Sequence, residues 1–273
     1  DRVMTGAEFD AASDDDILAG LEYIKVYARL MPQQKLRLVQ LFHKKKHIIA
    51  MTGDGINDAP ALVAADLGIA MGGIGSEVAK EAADIVLFDD SFANIIRAIA
   101  QGRHIFYTLK RVILYFFATN LGEVLIVLFA LLINIFDGDF PLPLTAAQIL
   151  WLNLVTDGFL DISLSMEPQE DGLLHRNWLK KKLHLIDRAL LAKIFFYAVP
   201  MAIGSLWMYM HYYETDVRLA RTMALVTMAM YQWFNAWNCR SETKSLFTIG
   251  LFSNRWLLLA TSFVFFLQLM LVY

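Results

Sequence analysis

Five apolar stretches, each close to the length that crosses a bilayer, constrain this chain more than any other feature. They run from Val112 to Phe136, Thr145 to Met166, Ala189 to Met210, Leu219 to Asn238 and Trp256 to Tyr273. A transmembrane helix needs about 20 mostly apolar residues. Composition agrees: 57% of the residues are hydrophobic and 19% charged, where soluble domains carry roughly 45–50% and 25%. A purely soluble fold, a disordered chain and a collagen-like fibre are excluded. The net charge of −3 is no footprint of a nucleic-acid binder. A single cysteine, Cys239, rules out an intramolecular disulfide or a multi-cysteine metal site.

The charges are uneven: 28 of the charged residues fall in the first 111 positions and 23 in the remaining 162. We therefore expect a cytosolic domain over residues 1–100 and a transmembrane domain over 101–273. Lysine and arginine set the orientation. Arg103, Lys110 and Arg111 precede the first span, Lys180-Lys181-Lys182 follow the second, and Arg240, Lys244 and Arg255 follow the fourth. The head and these two loops are expected in the cytosol. Arg218 and Arg221, at the outer start of the fourth span, are exceptions. The chain opens without a methionine or a signal peptide, which suggests a portion of something longer.

Polar residues inside the spans carry the first functional signal. The first span contains Asn120-Leu121-Gly122-Glu123, and the second Asn153-Leu154-Val155-Thr156-Asp157-Gly158 with Asp161 beyond. A carboxylate at membrane depth is costly and therefore rare without a task. Asn120 and Glu123 share one helix face, as do Asn153, Thr156 and Asp157. Facing helices would present the carboxylate and amide oxygens that suit a hard cation such as Ca²⁺. Helix–helix hydrogen bonding would account for Asn and Thr, but poorly for Glu123 and Asp157. Gly122 and Gly158 could allow close approach or unwinding beside these groups.

In the head, the apolar run Lys46–Met51 reads as a strand ending in Thr52-Gly53-Asp54-Gly55-Ile56-Asn57-Asp58, with Ala59-Pro60 opening a helix. Strands at 23–28, 67–71 and 83–88 alternate with helices from Met31 to His43 and from Ser76 to Ala82, which points to a parallel α/β sheet. Asp54 falls at the carboxyl end of a strand, where such sheets place active groups. Lys35 falls in the first turn of its helix. Gly72-Gly73-Ile74-Gly75 reads as a structural turn and not a dinucleotide fingerprint. His43 and His47, beside Lys44-Lys45-Lys46, read as solvated surface.

Met51-Thr52-Gly53-Asp54-Gly55-Ile56-Asn57-Asp58-Ala59-Pro60-Ala61-Leu62 resembles the hinge motif of P-type ATPases. Thr5-Gly6-Ala7-Glu8-Phe9 and Ala28–Lys35 are similar to preceding segments of that family. The Asn120–Glu123 and Asn153–Gly158 runs are similar to the fifth and sixth spans of its calcium-pump branch. The resemblance covers essentially the whole chain. It implies a haloacid-dehalogenase-like, Rossmann-like phosphorylation domain, present in part, followed by an all-α transmembrane bundle. It implies Mg²⁺ on Asp54 and Asp58, a phosphate site at Asn57 and Asp58, and Lys35 neutralising an aspartyl phosphate formed from ATP. It also implies a transported cation, with Ca²⁺ favoured, on Asn120, Glu123, Asn153, Thr156 and Asp157, and a long helix from Phe92 coupling the two sites.

The family's Asp-Lys-Thr-Gly-Thr sequence, nucleotide-binding and actuator domains and first four spans do not occur in these 273 residues. The resemblance therefore implies one part of a pump, inactive alone, in the bilayer of a bacterial plasma membrane and requiring the N-terminal portion as its partner. Two-site calcium pumps carry a glutamate in the eighth span; Ala229 takes that place here, with uncharged Gln232 and Asn235 nearby. One Ca²⁺ or Mn²⁺ per cycle is expected. The alternatives are a monovalent-cation or proton pump of the same class, and a membrane-anchored haloacid-dehalogenase-like phosphatase or non-catalytic remnant.

Overall fold

A computed structural model of the chain describes residues 2–170, 184–241 and 244–272. The basic cluster at 175–182 lies outside the described residues. The chain divides into two compact units, Asp1–Ala98 and Ile99–Tyr273.

In the first unit, β1 (Arg2–Thr5), α1 (Gly6–Ala11), α2 (Asp14–Gly20), β2 (Ile24–Ala28) and α3 (Pro32–Lys44) are followed by β3 (Ala50–Gly53). A single 3₁₀ turn, Ile56–Asp58, then leads into α4 (Ala59–Ala64), β4 (Leu67–Met71), α5 (Glu77–Ala82) and β5 (Ile85–Leu87). The alternation expected from sequence is present and all pairings are parallel. They form two sheets, β1–β2 and β3–β4–β5, where one had been expected. β1 was not anticipated. The acidic run next to it serves as local capping: the Ser13 side chain accepts from the Asp16 N–H, and Asp14, Asp15 and Asp16 fill the first turn of α2, against its positive end.

The strand expected from Lys46 begins only at Ala50. Lys46 adopts a left-handed conformation, φ 60°, and its N–H and that of His47 fold back onto the carbonyls of His43 and Phe42. These residues close α3, leaving Ile48 90% exposed.

The second unit contains α6 (Phe92–Asp137), which starts in the first, then α7 (Ala146–Trp151), a π-helical stretch (Leu152–Asp157), α8 (Gly158–Ser165), α9 (Arg188–Tyr212), α10 (Val217–Asn238), α11 (Leu246–Ile249) and α12 (Arg255–Val272). All five apolar stretches are helical. Three helices, over Phe92–Phe136, Arg188–Tyr212 and Arg255–Val272, are long and apolar enough to cross a membrane by length and composition. The second stretch is divided by its π segment. The fourth is diluted by Arg221, Gln232 and Asn235. Outward-facing Val124, Leu154, Phe196 and Phe234 are 60–72% exposed, an apolar surface suited to lipid. Inward, Tyr115, Ile126, Leu160, Met201 and Met228 form the core.

One end of the bundle is tied by buried ion pairs. Arg240, 1% exposed, makes a two-pronged bond to Glu167, with Nη2–Oε1 at 2.8 Å and Nε–Oε2 at 3.0 Å. It also donates to the Gly250 carbonyl and to Ser253. Asn254 donates to Glu167 at 2.8 Å and to the Ser163 carbonyl at 3.0 Å. Nearby in sequence, Arg111 pairs with Glu170, and Lys110 with Asp187 at 3.0 Å. These cations therefore do more than orient the chain. At the segment joining α6 to α7, the Arg221 guanidinium donates to the Leu142 carbonyl at 3.1 Å, which gives this charge outside the expected pattern a partner.

Replacing Arg240 by Met leaves Glu167 buried without its cation, a loss of about 3–5 kcal/mol. Thermal unfolding in detergent should fall sharply for Arg240→Met and recover in part for Arg240→Met/Glu167→Leu. Equal stability of wild type and the single variant would show that the pair does not hold this end.

Candidate functional site

The first candidate site forms where β3 ends. Asp58, 6% exposed, sits at the start of α4, and its Oδ1 lies 2.5 Å from Nζ of Lys35 on the first turn of α3. Pro32 at the start of α3 favours a helix beginning there, which fixes the base of the lysine. The Gly55 N–H also points at Asp58 Oδ2, at 3.4 Å. Gly53 is required by space: a Cβ there would lie 2.5 Å from Cβ of Asp58. Asp54 and Asn57 are exposed beside this pair. Asp54 accepts through its carbonyl from the Ser76 N–H at 2.8 Å, which ties the loop to the cap of α5. The structure thus joins Lys35 to Asp58 and leaves the Asp54 carboxylate outward.

Burial acts to raise the Asp58 carboxyl, but the Lys35 ammonium and the Gly55 N–H outweigh it and hold it below the usual carboxylate range. The glycine cluster after β4 is a turn clamped by Asp90, whose two oxygens accept from the N–H groups of Gly73 (2.9 Å) and Ile74 (3.0 Å). His43 pairs with Asp66 at 3.0 Å, and His47 packs edge-on against Phe42.

The second candidate site lies inside the helical unit. Glu123 of α6 is 5% exposed and both of its oxygens are held by amides: Asn153 Nδ2 donates to Oε2 at 2.6 Å and Gln232 Nε2 to Oε1 at 2.9 Å. Asp157, 2% exposed, accepts from the Tyr115 hydroxyl at 2.8 Å through Oδ1, while its Oδ2 is buried with no partner. Thr156 Oγ1 and Asp161 Oδ1 are likewise buried and unpartnered. Asn153, Thr156 and Asp157 all stand on the π-helical stretch Leu152–Asp157. Such wide turns disturb the regular ladder and recur at functional sites. The irregularity falls just before Gly158, which itself opens the regular helix α8, while Gly122 lies within α6. Gly122 admits α9 closely, since a Cβ would lie 2.8 Å from Sδ of Met201, whereas Gly158 has no such neighbour.

No lysine or arginine pairs with Glu123 or Asp157 among the described residues. Their counter-groups are neutral: amides at Glu123, and the Tyr115 phenol with the Thr119 hydroxyl beside it at Asp157. Asn120 stands apart: its amide donates to the Phe116 carbonyl of its own helix at 2.8 Å. Among the described residues, no three His, Cys, Asp or Glu side chains group closely enough to hold a metal by themselves. Any cation here would need the amide and hydroxyl oxygens as well. The sequence reading missed Tyr115, and treated Gln232 only as a neighbour without charge. A tyrosine in an apolar helix carries no signal until its partner is known.

A family model described as "Cation transporting ATPase, C-terminus" matches residues 141–273. The chain is 39% identical over 262 residues to the Mycobacterium tuberculosis protein named "Probable cation-transporting ATPase F", covering 95% of this chain and 28% of that protein. It is 37% identical over 276 residues to the Bacillus subtilis "Calcium-transporting ATPase", covering 100% of this chain and 30% of the other. The human "Calcium-transporting ATPase type 2C member 1" is 36% identical over 257 residues, 92% of this chain and 27% of that protein.

The chain belongs to the P-type cation-transporting ATPases.

It spans less than a third of the length of these relatives. The model match begins at Pro141 and so takes in Asn153, Thr156 and Asp157, but neither Glu123 nor the first unit.

Two outcomes follow for this ATPase segment. Gly53→Ala should force Asp58 away from Lys35 and lower the thermal stability of the chain, whereas Gly102→Ala, where a Cβ meets nothing, should not. An unchanged melting curve for Gly53→Ala would contradict the close approach. The depressed carboxyl of Asp58 contributes stability that is full above about pH 5 and disappears as acid protonates it. The stability difference between wild type and Asp58→Asn should therefore shrink as pH falls through the carboxylate range, as read by urea unfolding; a pH-independent difference would remove the ion pair from the account.

Proposed function

We propose that this chain is the part of an ATP-driven pump that couples formation and hydrolysis of an aspartyl phosphate to transport of a divalent cation, Ca²⁺ being favoured. One observation carries the reading: two buried carboxylates, Glu123 and Asp157, face only neutral donors, and Asp157 keeps one oxygen free. Carboxylates at such depth call for an exchangeable cation. Oxygens from Asn153 and Thr156 complete a hard-ligand set. The names of the Bacillus subtilis and human relatives support Ca²⁺.

Residues 1–100 are assigned to a haloacid-dehalogenase-like phosphorylation domain and 101–273 to a membrane domain crossing five times, with the head in the cytosol. At the β3 loop, the exposed Asp54 offers the hard oxygen that Mg²⁺ prefers, with Asp58 behind it; bound there, Mg²⁺ would neutralise charge on a transferring phosphoryl group. Asn57 would reach the phosphate. Lys35, held on Asp58 and about one-third exposed, would neutralise charge on the phosphoryl group. Asn120 would join the cation set through its Oδ1, its Nδ2 staying on the Phe116 carbonyl. With alanine at position 229, the set has two carboxylates and suits one divalent cation per cycle.

The test is transport by the full-length ATPase in vesicles. Radiolabelled Ca²⁺ should bind at one per phosphorylation site, and Asp157→Asn should abolish cation-dependent phosphorylation from ATP while phosphorylation from inorganic phosphate persists. Two bound Ca²⁺ would overturn the stoichiometry, and Na⁺-driven or proton-driven phosphorylation would overturn the choice of cation.

A further inference from the structure

Gln232 of α10 is completely buried, 109 residues from Glu123 in sequence, yet its Nε2 lies 2.9 Å from that carboxylate. Its own Oε1 is buried and has no hydrogen-bond partner. Leaving such an oxygen unsatisfied inside a protein is costly, so its retention needs an explanation. The other amide on Glu123 differs: Asn153 Nδ2 donates both to Glu123 and to the Ile149 carbonyl at 3.0 Å, which pins it. Gln232 makes one bond through one end of its amide.

The final torsion of a glutamine side chain is soft, with two broad orientations. A half-turn about Cγ–Cδ exchanges Nε2 for Oε1 without moving the helix. In the present orientation the amide nitrogen occupies Glu123 Oε1. In the other, that carboxylate oxygen is released and the Gln232 oxygen faces it, so that the two oxygens can share a cation. Its neighbours on α10 do not offer this: Ala229 has no polar atom, and Asn235 Oδ1 already accepts from the Cys239 thiol.

We propose that Gln232 is a cation ligand that doubles as the latch on Glu123, its amide turning over as the cation enters. This rests on the cation-pump reading above and adds α10 to the elements that hold the ion. A neutral oxygen from this helix, in place of a carboxylate, supplies coordination without a third negative charge. The preference is then for a single divalent ion.

The experiment uses the full-length ATPase with Gln232→Met and Gln232→Glu, both close to glutamine in volume. Two quantities are read: the Ca²⁺ concentration that half-saturates phosphorylation from ATP, and phosphorylation from inorganic phosphate without Ca²⁺. Gln232→Met, which has no oxygen, should raise the half-saturating Ca²⁺ by about tenfold or more, with measurable phosphorylation from phosphate showing that the variant is folded. Gln232→Glu, which keeps an oxygen and as the carboxylate cannot donate to Glu123, should stay within about threefold of wild type or bind more tightly at a pH where both carboxyls ionise. If both variants shift equally, or Gln232→Met remains within about twofold, the residue is only a hydrogen-bond donor and the proposal fails. If wild-type phosphorylation is itself independent of Ca²⁺, the broader reading fails first.

Discussion

A carboxylate buried among apolar helices must be compensated, and the helical unit is organised by how each one is served. Towards one end, Glu167 and Glu170 are matched by Arg240 and Arg111, both guanidiniums almost fully enclosed. Deeper, Glu123 and Asp157 receive amides and a phenol instead. A guanidinium would fill the negative site permanently. Neutral donors supply hydrogen bonds while leaving the charge uncancelled, so the first kind of pairing fastens structure and the second does not neutralise the carboxylates it holds. The division falls along α8: Asp157 lies immediately before its first residue and Glu167 just past its last.

The π-helical stretch connects this electrostatic division to the backbone. Leu152–Asp157 holds three polar side chains in six residues, with Leu152, Thr156 and Asp157 buried. A regular α-helix would hold every carbonyl in the i to i+4 ladder. The wide turn loosens that ladder where Asn153, Thr156 and Asp157 stand. On either side, Gln148 caps the N-terminus of α7 together with Thr145, and Asn254 fastens the far end of α8. The irregular segment is therefore short and gripped at both ends.

Much of this was legible in the sequence, for reasons that differ by element. The positions of β2, β4, β5, α3 and α5 follow from apolar runs bounded by glycine and by capping residues such as Ser76. The beginning of β3 was misread because Ile48 and Ile49 look like strand residues, while the left-handed turn at Lys46 spends that segment on closing α3. The split of the sheet was invisible, since pairing partners are not written in local periodicity. Glu123, Asn153 and Asp157 could be picked out because polar groups are conspicuous in apolar helices. Tyr115 and Arg240 could not: their significance depends on Asp157 and Glu167, 42 and 73 residues away.

Asn120 marks the limit of reasoning from helical spacing. Three residues from Glu123, it shares that residue's face on an ideal helix, yet its amide turns to the Phe116 carbonyl one turn back. Short polar side chains in helices have this local alternative always at hand, and in a membrane it relieves the cost of an unsatisfied group. Glutamate and glutamine are longer, lack an equally easy backbone bond and must reach across to another helix. Asn153 does both, its amide donating to the Ile149 carbonyl and across to Glu123, whereas the Asn120 amide nitrogen bonds only within its own helix. Glu123 and Gln232 meet across 109 residues of chain, so the polar side chains that reach beyond their own helix are the guide to which helices face each other.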